Sequence, residues 1–275
     1  MRTRVLGPTD ERIAAVGQGT WRVKDHAACS EALREGIRLG MTHIDTAELY
    51  ENNSRSETML GKLLKGGLRE KVFLASKVLP HNASYEGTLA ACKASLQRLG
   101  TDRLDLYYLH WRGEVPLEET FDAMAELVEA GTVRHVGVSN FGVPDLEEAE
   151  AILGKGVLAA NQVRYHLEER DAEAEVLPWC KAHKVTLVGY SPFGAGNFLP
   201  AAKARARLEP IAKDAGLTLR QLALAFLTRD LATVTIPKAE HAAHVRDNAG
   251  GDVDLPADVV ARVDEAFPLR PLQRA

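Results

Sequence analysis

Short runs of apolar and β-branched residues recur along the chain, separated by longer stretches that alternate polar and apolar positions with a helical period. The runs are AVGQGTW at 15–21, THIDTA at 42–47, VFLASK at 72–77, LDLYYLH at 104–110, HVGVSN at 135–140, NQVRY at 161–165, VTLVGY at 185–190 and TVTIPK at 233–238. Short strands alternating with amphipathic helices predict repeated βα units and a parallel sheet. Several helix ends are legible. Ser84 can cap a helix that closes at Gly100 with Leu89, Leu96 and Leu99 on one face. Pro116 suits a first helical turn, and Leu117, Phe121, Met124 and Val128 form a stripe that ends before Gly131. Thr218 and Gln221 have capping-box spacing ahead of Leu222, Ala225 and Phe226, which predicts a helix to about Arg229.

Periodicity alone does not separate a closed barrel from an open, doubly wound sheet. Eight units without a linker between them, in 275 residues, favour a single (β/α)8 barrel domain over residues 1–275. The dinucleotide-binding alternative calls for a G-x-G-x-x-G turn after the first strand. Gly17 and Gly19 lack the third glycine and precede Trp21 instead of a helix start.

Composition narrows the partners. With 45% hydrophobic and 26% charged residues and a net charge of −4, the chain can bury one large core and lacks the basic surplus that nucleic acid or an anionic membrane attracts. A small molecule is the expected partner, and a monomer the expected state. Cys29, Cys92 and Cys180 are far apart and each falls in a helical segment, so they form no disulfide framework; neither H-E-x-x-H nor clustered Cys/His spacing suggests a metal. Pro8, Asp10, Glu11 and Arg12 interrupt the stretch where a signal peptide needs an apolar run, and no later run reaches the ~18 apolar residues of a spanning helix. A cytoplasmic location is expected.

Barrel enzymes draw their reactive groups from the C-terminal ends of the strands. Here those ends carry Trp21, Asp45 with Tyr50 just beyond, Lys77, His110, Ser139 with Asn140, Gln162, Tyr190 with Ser191, and Lys238. Asp45, Tyr50, Lys77 and His110 make chemical sense together. An ammonium lowers a neighbouring phenol's pKa, a carboxylate offsets the cost of burying that ammonium, and an imidazole can hold a carbonyl oxygen where the phenol can protonate it. Taken singly, Asp45 and Lys77 equally suit a salt bridge, Tyr50 a rim residue and His110 a core histidine.

The segments GQGTW (17–21), HIDTAELY (43–50), LASKV (74–78), DLYYLHW (105–111), GVSNF (137–141), NQVRYH (161–166), GYSP (189–192) and IPKAEHAAHVRDN (236–248) resemble the aldo-keto reductases. Within that family the chain looks most like short bacterial reductases of small reactive aldehydes such as methylglyoxal. The resemblance implies Tyr50 as general acid, Asp45 and Lys77 as the pair that tunes it, His110 as the group orienting the carbonyl, and NADPH as the hydride source, with NADH as a weaker alternative. It also implies a nicotinamide stacked on Tyr190 and held by Ser139, Asn140 and Gln162. Phosphates would lie along the turn of Ser191, Pro192, Phe193, Gly194 and Gly196, with Thr20, Trp21, Asp45, Ile236 and Pro237 also facing the cofactor. Lys238 would meet the 2′-phosphate, and Asp247 and Asn248 the adenine. Ala239 and His244 depart from the serine or threonine and the arginine common at those positions. A histidine is fully charged only when protonated, so NADPH preference is expected to weaken as pH rises.

The loop ENNSRSE after Tyr50 reads as longer than the family norm, while WRGEVP after His110 and the tail after Phe267 read as short, implying an open pocket walled by Trp21 and Trp111. Two other functions fit parts of the pattern. A non-catalytic nicotinamide-binding sensor would keep the same residues, and a lyase or aldolase barrel would use Lys77 as a Schiff-base nucleophile.

Overall fold

The computed structural model describes residues 1–50, 55–196, 198–199 and 202–269. Eight parallel strands form one sheet in sequence order: β3 (Gln18–Gly19), β4 (His43–Asp45), β5 (Phe73–Val78), β6 (Leu104–Leu109), β7 (Val133–Ser139), β8 (Leu158–Arg164), β9 (Thr186–Tyr190) and β10 (Thr233–Thr235). A parallel bridge between Val16 and Thr235 closes the sheet on itself, reinforced by the Gly17 amide donating to the Thr235 carbonyl at 2.7 Å. The barrel expected from the eight runs is therefore the observed fold, although the first strand stops at Gly19 and Trp21 lies in the turn after it.

Two short strands precede the barrel. β1 (Thr3–Val5) and β2 (Arg12–Ala14) form an antiparallel hairpin with Arg4 opposite Ile13. Leu6 and Ile13 join the interior cluster of Phe73, Ala75, Leu106, Tyr108, Ala160, Val188 and Val234, so the hairpin plugs the N-terminal end of the barrel. Gly7 makes the plug fit. It has φ of +52°, and a Cβ there would sit 2.4 Å from the Ala159 carbonyl oxygen.

Helices α1 (His26–Arg38), α2 (Arg55–Leu63), α3 (Tyr85–Leu99), α4 (Leu117–Glu129), α5 (Val143–Leu153) and α6 (Val176–His183) connect successive strands. Between β9 and β10 lie α7 (Ala202–Asp214) and α8 (Leu219–Leu227); α9 (Ala242–Ala249) and α10 (Ala257–Ala266) follow β10. The Ser84 cap, the left-handed Gly100 terminus and the Thr218–Gln221 capping box all form as expected. Such caps stabilise a helix by about 1 kcal/mol each because they satisfy amides that have no partner within the helix. Two expectations fail. Val128 stands exposed while Leu127 takes its place in the core, and α7 is a helix that the eight-unit reading left out. Cys29, Cys92 and Cys180 are buried on α1, α3 and α6, and none is in a disulfide. No helix among the described residues is long and apolar enough to cross a membrane.

Candidate active site

The C-terminal ends of the strands open into a cavity of about 690 Å³, in the range of small-molecule sites. Beneath its floor, β5 carries Lys77 to a fully buried position. The Lys77 ammonium donates to Asp45 Oδ1 at 2.7 Å, to the Thr46 carbonyl at 2.8 Å and to the Tyr50 hydroxyl oxygen at 3.1 Å. An ammonium has three protons, and here each has an acceptor. That arrangement leaves no open approach for a carbonyl carbon to Nζ and speaks against the Schiff-base alternative.

Tyr50 and His110 both line the cavity, their rings edge-on with centroids 5.9 Å apart. Adjacent strands explain the grouping: β4 pairs with β5 at Asp45–Ala75, and β5 with β6 at Lys77–Tyr108, so Asp45, Lys77 and His110 emerge side by side. Burial pushes the His110 pKa down to about 3, with the Lys77 charge adding to the effect, so the ring is a neutral imidazole with one N–H to donate. Burial also lowers the Lys77 pKa, opposed by the Asp45 carboxylate. The Tyr50 phenol departs from expectation. Burial, and then the Asp45 charge, push its pKa well above the ordinary value instead of Lys77 bringing it down. The phenol therefore rests fully protonated, with a positive charge in place to hold the phenolate that proton loss would leave.

The remaining strand ends form a connected polar layer. Gln162 donates one of its two amide N–H groups from Nε2 to Asp45 Oδ2 at 2.8 Å, which ties it to the carboxylate and leaves its Oε1 as an acceptor. The Ser139 hydroxyl donates to the Gln162 carbonyl, and Asn140 Nδ2 donates to the His110 carbonyl at 3.0 Å. The Tyr190 hydroxyl donates to Asn140 Oδ1 at 3.0 Å, and the Thr20 hydroxyl to the Asp45 carbonyl at 3.0 Å. Asn140 (φ +62°), Ser191 (φ +52°), Ala195 (φ +57°) and Arg22 (φ +54°) hold left-handed backbone conformations, and all line the cavity. Strain of this kind, costly for residues with a Cβ, concentrates where the chain is held to a functional shape.

Of the other anticipated residues, Trp21, Trp111, Pro192, Phe193, Ile236, Lys238, His244 and Asn248 line the cavity. Gly194, Pro237, Ala239 and Asp247 do not; Asp247 accepts from the Thr218 hydroxyl at 2.8 Å. In the short 3-10 turn Gly194–Gly196, the middle residue Ala195 lines the cavity. Trp21 and Trp111 flank the mouth, each more than a third exposed, and the Arg22 guanidinium lies 4.1 Å above the Trp21 ring. Residues 51–54 of the loop after Tyr50 lie outside the described residues, and Arg55 to Glu57, expected to extend that loop, begin α2 instead.

Sequence reasoning missed several lining residues, among them Arg22, Leu49, Arg164, Phe198 and Arg220. Arg22 follows β3, Arg164 is the last residue of β8, and Arg220 lies in the first turn of α8. The cavity suits a flat heteroaromatic ligand with anionic groups. Half-buried Tyr190 offers a ring face, Arg22, Arg220 and Lys238 offer positive charge, and Asn248 Oδ1 is buried without a partner, an acceptor free for an amino group. Those are the features a nicotinamide–adenine dinucleotide needs.

The open face of this closed parallel barrel thus brings together a buried lysine, a phenol that it hydrogen-bonds and an imidazole. The aldo/keto reductase family model matches residues 15–267, and the chain belongs to that family of NAD(P)H-dependent oxidoreductases. It is 42% identical to a methylglyoxal reductase of Escherichia coli over 265 residues, covering 94% of this chain and 93% of the relative. It is 33% identical to a glyoxal reductase of Bacillus subtilis, over 90% and 87% of the two chains. An aldo/keto reductase of Klebsiella pneumoniae, solved in complex with NADP and acetate, superposes with a TM-score of 0.91 at 37% identity, over 100% of this chain and 98% of that one.

Proposed function

We propose that this chain reduces small aldehydes and ketones, including reactive dicarbonyls of the methylglyoxal kind and aromatic aldehydes, with NADPH preferred over NADH. The cofactor when bound supplies a hydride to the carbonyl carbon. The chain's own residues manage the oxygen. Neutral His110 donates a hydrogen bond that orients the carbonyl oxygen toward Tyr50, and Tyr50 protonates that oxygen as its charge develops. Lys77, kept charged by Asp45, stabilises the phenolate left behind, so burial and charge act at different stages. Burial keeps the proton on Tyr50 at rest, and the ammonium lowers the cost of giving it up. Tyr190, Ser139 and Asn140 hold the nicotinamide, while Lys238 and His244 meet the adenosine phosphate. Trp21, Leu49 and Trp111 favour compact, planar or apolar substrates.

The single observation that carries this reading is the Lys77 ammonium shared between Asp45 and Tyr50 beneath the cavity. The test is purified protein with NADPH and a panel of aldehydes including methylglyoxal and a nitrobenzaldehyde, followed at the reduced-nicotinamide absorbance and repeated with NADH. Turnover faster with NADPH supports the reading. Tight NADPH binding without turnover of any carbonyl favours the sensor alternative instead.

A further inference from the structure

Lys238, the cation at the adenosine end of the cavity, already has a counter-ion. Glu240 Oε1 accepts from its ammonium, and the same carboxylate accepts from the backbone amides of Lys24 and Asp25 at 3.2 and 3.3 Å. Glu240 thereby joins the loop after β3 to the loop after β10, one on each side of the closing seam of the barrel. Its side chain is only 14% exposed, and it does not itself line the cavity. Burial alone would raise its pKa, yet Lys238 and the two amides outweigh burial and hold it below the usual carboxylate range, so the group is anionic. The nearby His241 and His244 rings meet edge-on, Asp25 caps α1, and Arg246 turns away to Glu35.

We propose that Glu240 sets the balance between the two nicotinamide cofactors by neutralising Lys238. This rests on the reading of Lys238 as the 2′-phosphate residue. A 2′-phosphate reaching the ammonium must approach a fixed carboxylate within a few ångströms, and like charges at that range in a partly buried site repel appreciably. NADH carries a hydroxyl at that position and meets no such repulsion. The arrangement therefore lowers the advantage of NADPH without opposing NADH, and Glu240 acts on cofactor choice through Lys238 while also holding the two loops together.

The experiment is direct titration of NADPH and NADH into the apoprotein, read by quenching of tryptophan fluorescence, for the wild type, E240Q, Glu240→Ala and Lys238→Ala. Removing the charge is expected to tighten NADPH about tenfold and leave NADH within about twofold. Glutamine keeps an acceptor for the loop amides, and the ratio of the two Kd values cancels any loosening common to both cofactors, including in Glu240→Ala. A purely structural clamp would leave the ratio unchanged in both Glu240 variants, and that result overturns the proposal. If Lys238→Ala does not weaken NADPH selectively, or the wild type does not bind NADPH, the cofactor placement itself fails and the proposal with it. A selective Lys238→Ala effect beside an unshifted ratio in E240Q sinks the Glu240 proposal alone.

Discussion

Asp45→Asn is the substitution whose consequences the geometry fixes most tightly. In the wild type, Asp45 accepts from Lys77 through Oδ1 and from Gln162 through Oδ2, at 2.7 and 2.8 Å, with both ionic side chains essentially inaccessible to water. An asparagine has one acceptor and one donor in place of two acceptors. Either orientation of its amide sets N–H groups against a donor, Lys77 in one case and Gln162 in the other. The Lys77 ammonium also loses its only counter-charge within hydrogen-bond range among the described residues, and removing one partner of a buried pair costs about 3–5 kcal/mol. Lys77 then sheds its proton more readily in the folded state, since burial already lowers its pKa and Asp45 is the principal opposing influence. With the folded pKa below the unfolded one, the unfolded chain binds more protons, so the variant's stability deficit shrinks as pH rises toward the ordinary lysine range. Urea unfolding of both proteins at pH 7 and pH 9 measures this. A deficit under about 1 kcal/mol, or one that grows with pH, would refute the reasoning.

Three further outcomes follow from the same structure. His43 lies inside the barrel with neither ring nitrogen hydrogen-bonded and its pKa pushed down to about 4 by burial. Its contribution to stability is full above the unfolded histidine pKa and is lost as pH falls toward 4, so His43→Leu should flatten the loss of unfolding free energy between pH 7 and 5 by about 2 kcal/mol; an unchanged slope contradicts it. His110, at about 3, stays neutral through the working range. The kcat profile from pH 8 to pH 5 should therefore show no acid limb that His110→Asn removes. Lys238→Ala should raise the NADPH KM far more than it lowers kcat, and an equal loss in both would place Lys238 elsewhere in the cycle.

The strand-end rule made much of the site readable, because each barrel strand delivers one side chain to the open face. Asp45, Lys77, His110, Ser139 and Tyr190 were found in this way, and pairing of β4, β5 and β6 brings the first three together. What stayed hidden depended on distant partners. The tie from Gln162 to Asp45, 117 positions away, is one such contact, made by one of the amide's two N–H groups. Glu57 was placed in a loop, although it is buried on α2, where Ser76 and Arg98 bind its carboxylate. The β1–β2 hairpin escaped notice because three-residue strands are too short to show alternation. α7 escaped because only Leu208, Ile211 and Ala212 of its thirteen residues are buried, which leaves a weak apolar stripe. Burial depth, invisible in the sequence, is the leading cause of the upward direction of the Tyr50 pKa.

The central claim is that Tyr50 supplies the proton from a site organised by Lys77. Its most direct test is Tyr50→Phe, which keeps the ring and deletes only the hydroxyl, measured for both NADPH binding and aldehyde turnover. The account predicts an NADPH Kd within about threefold of wild type and a kcat lowered by about 10²-fold or more. Wild-type turnover by Tyr50→Phe would contradict it.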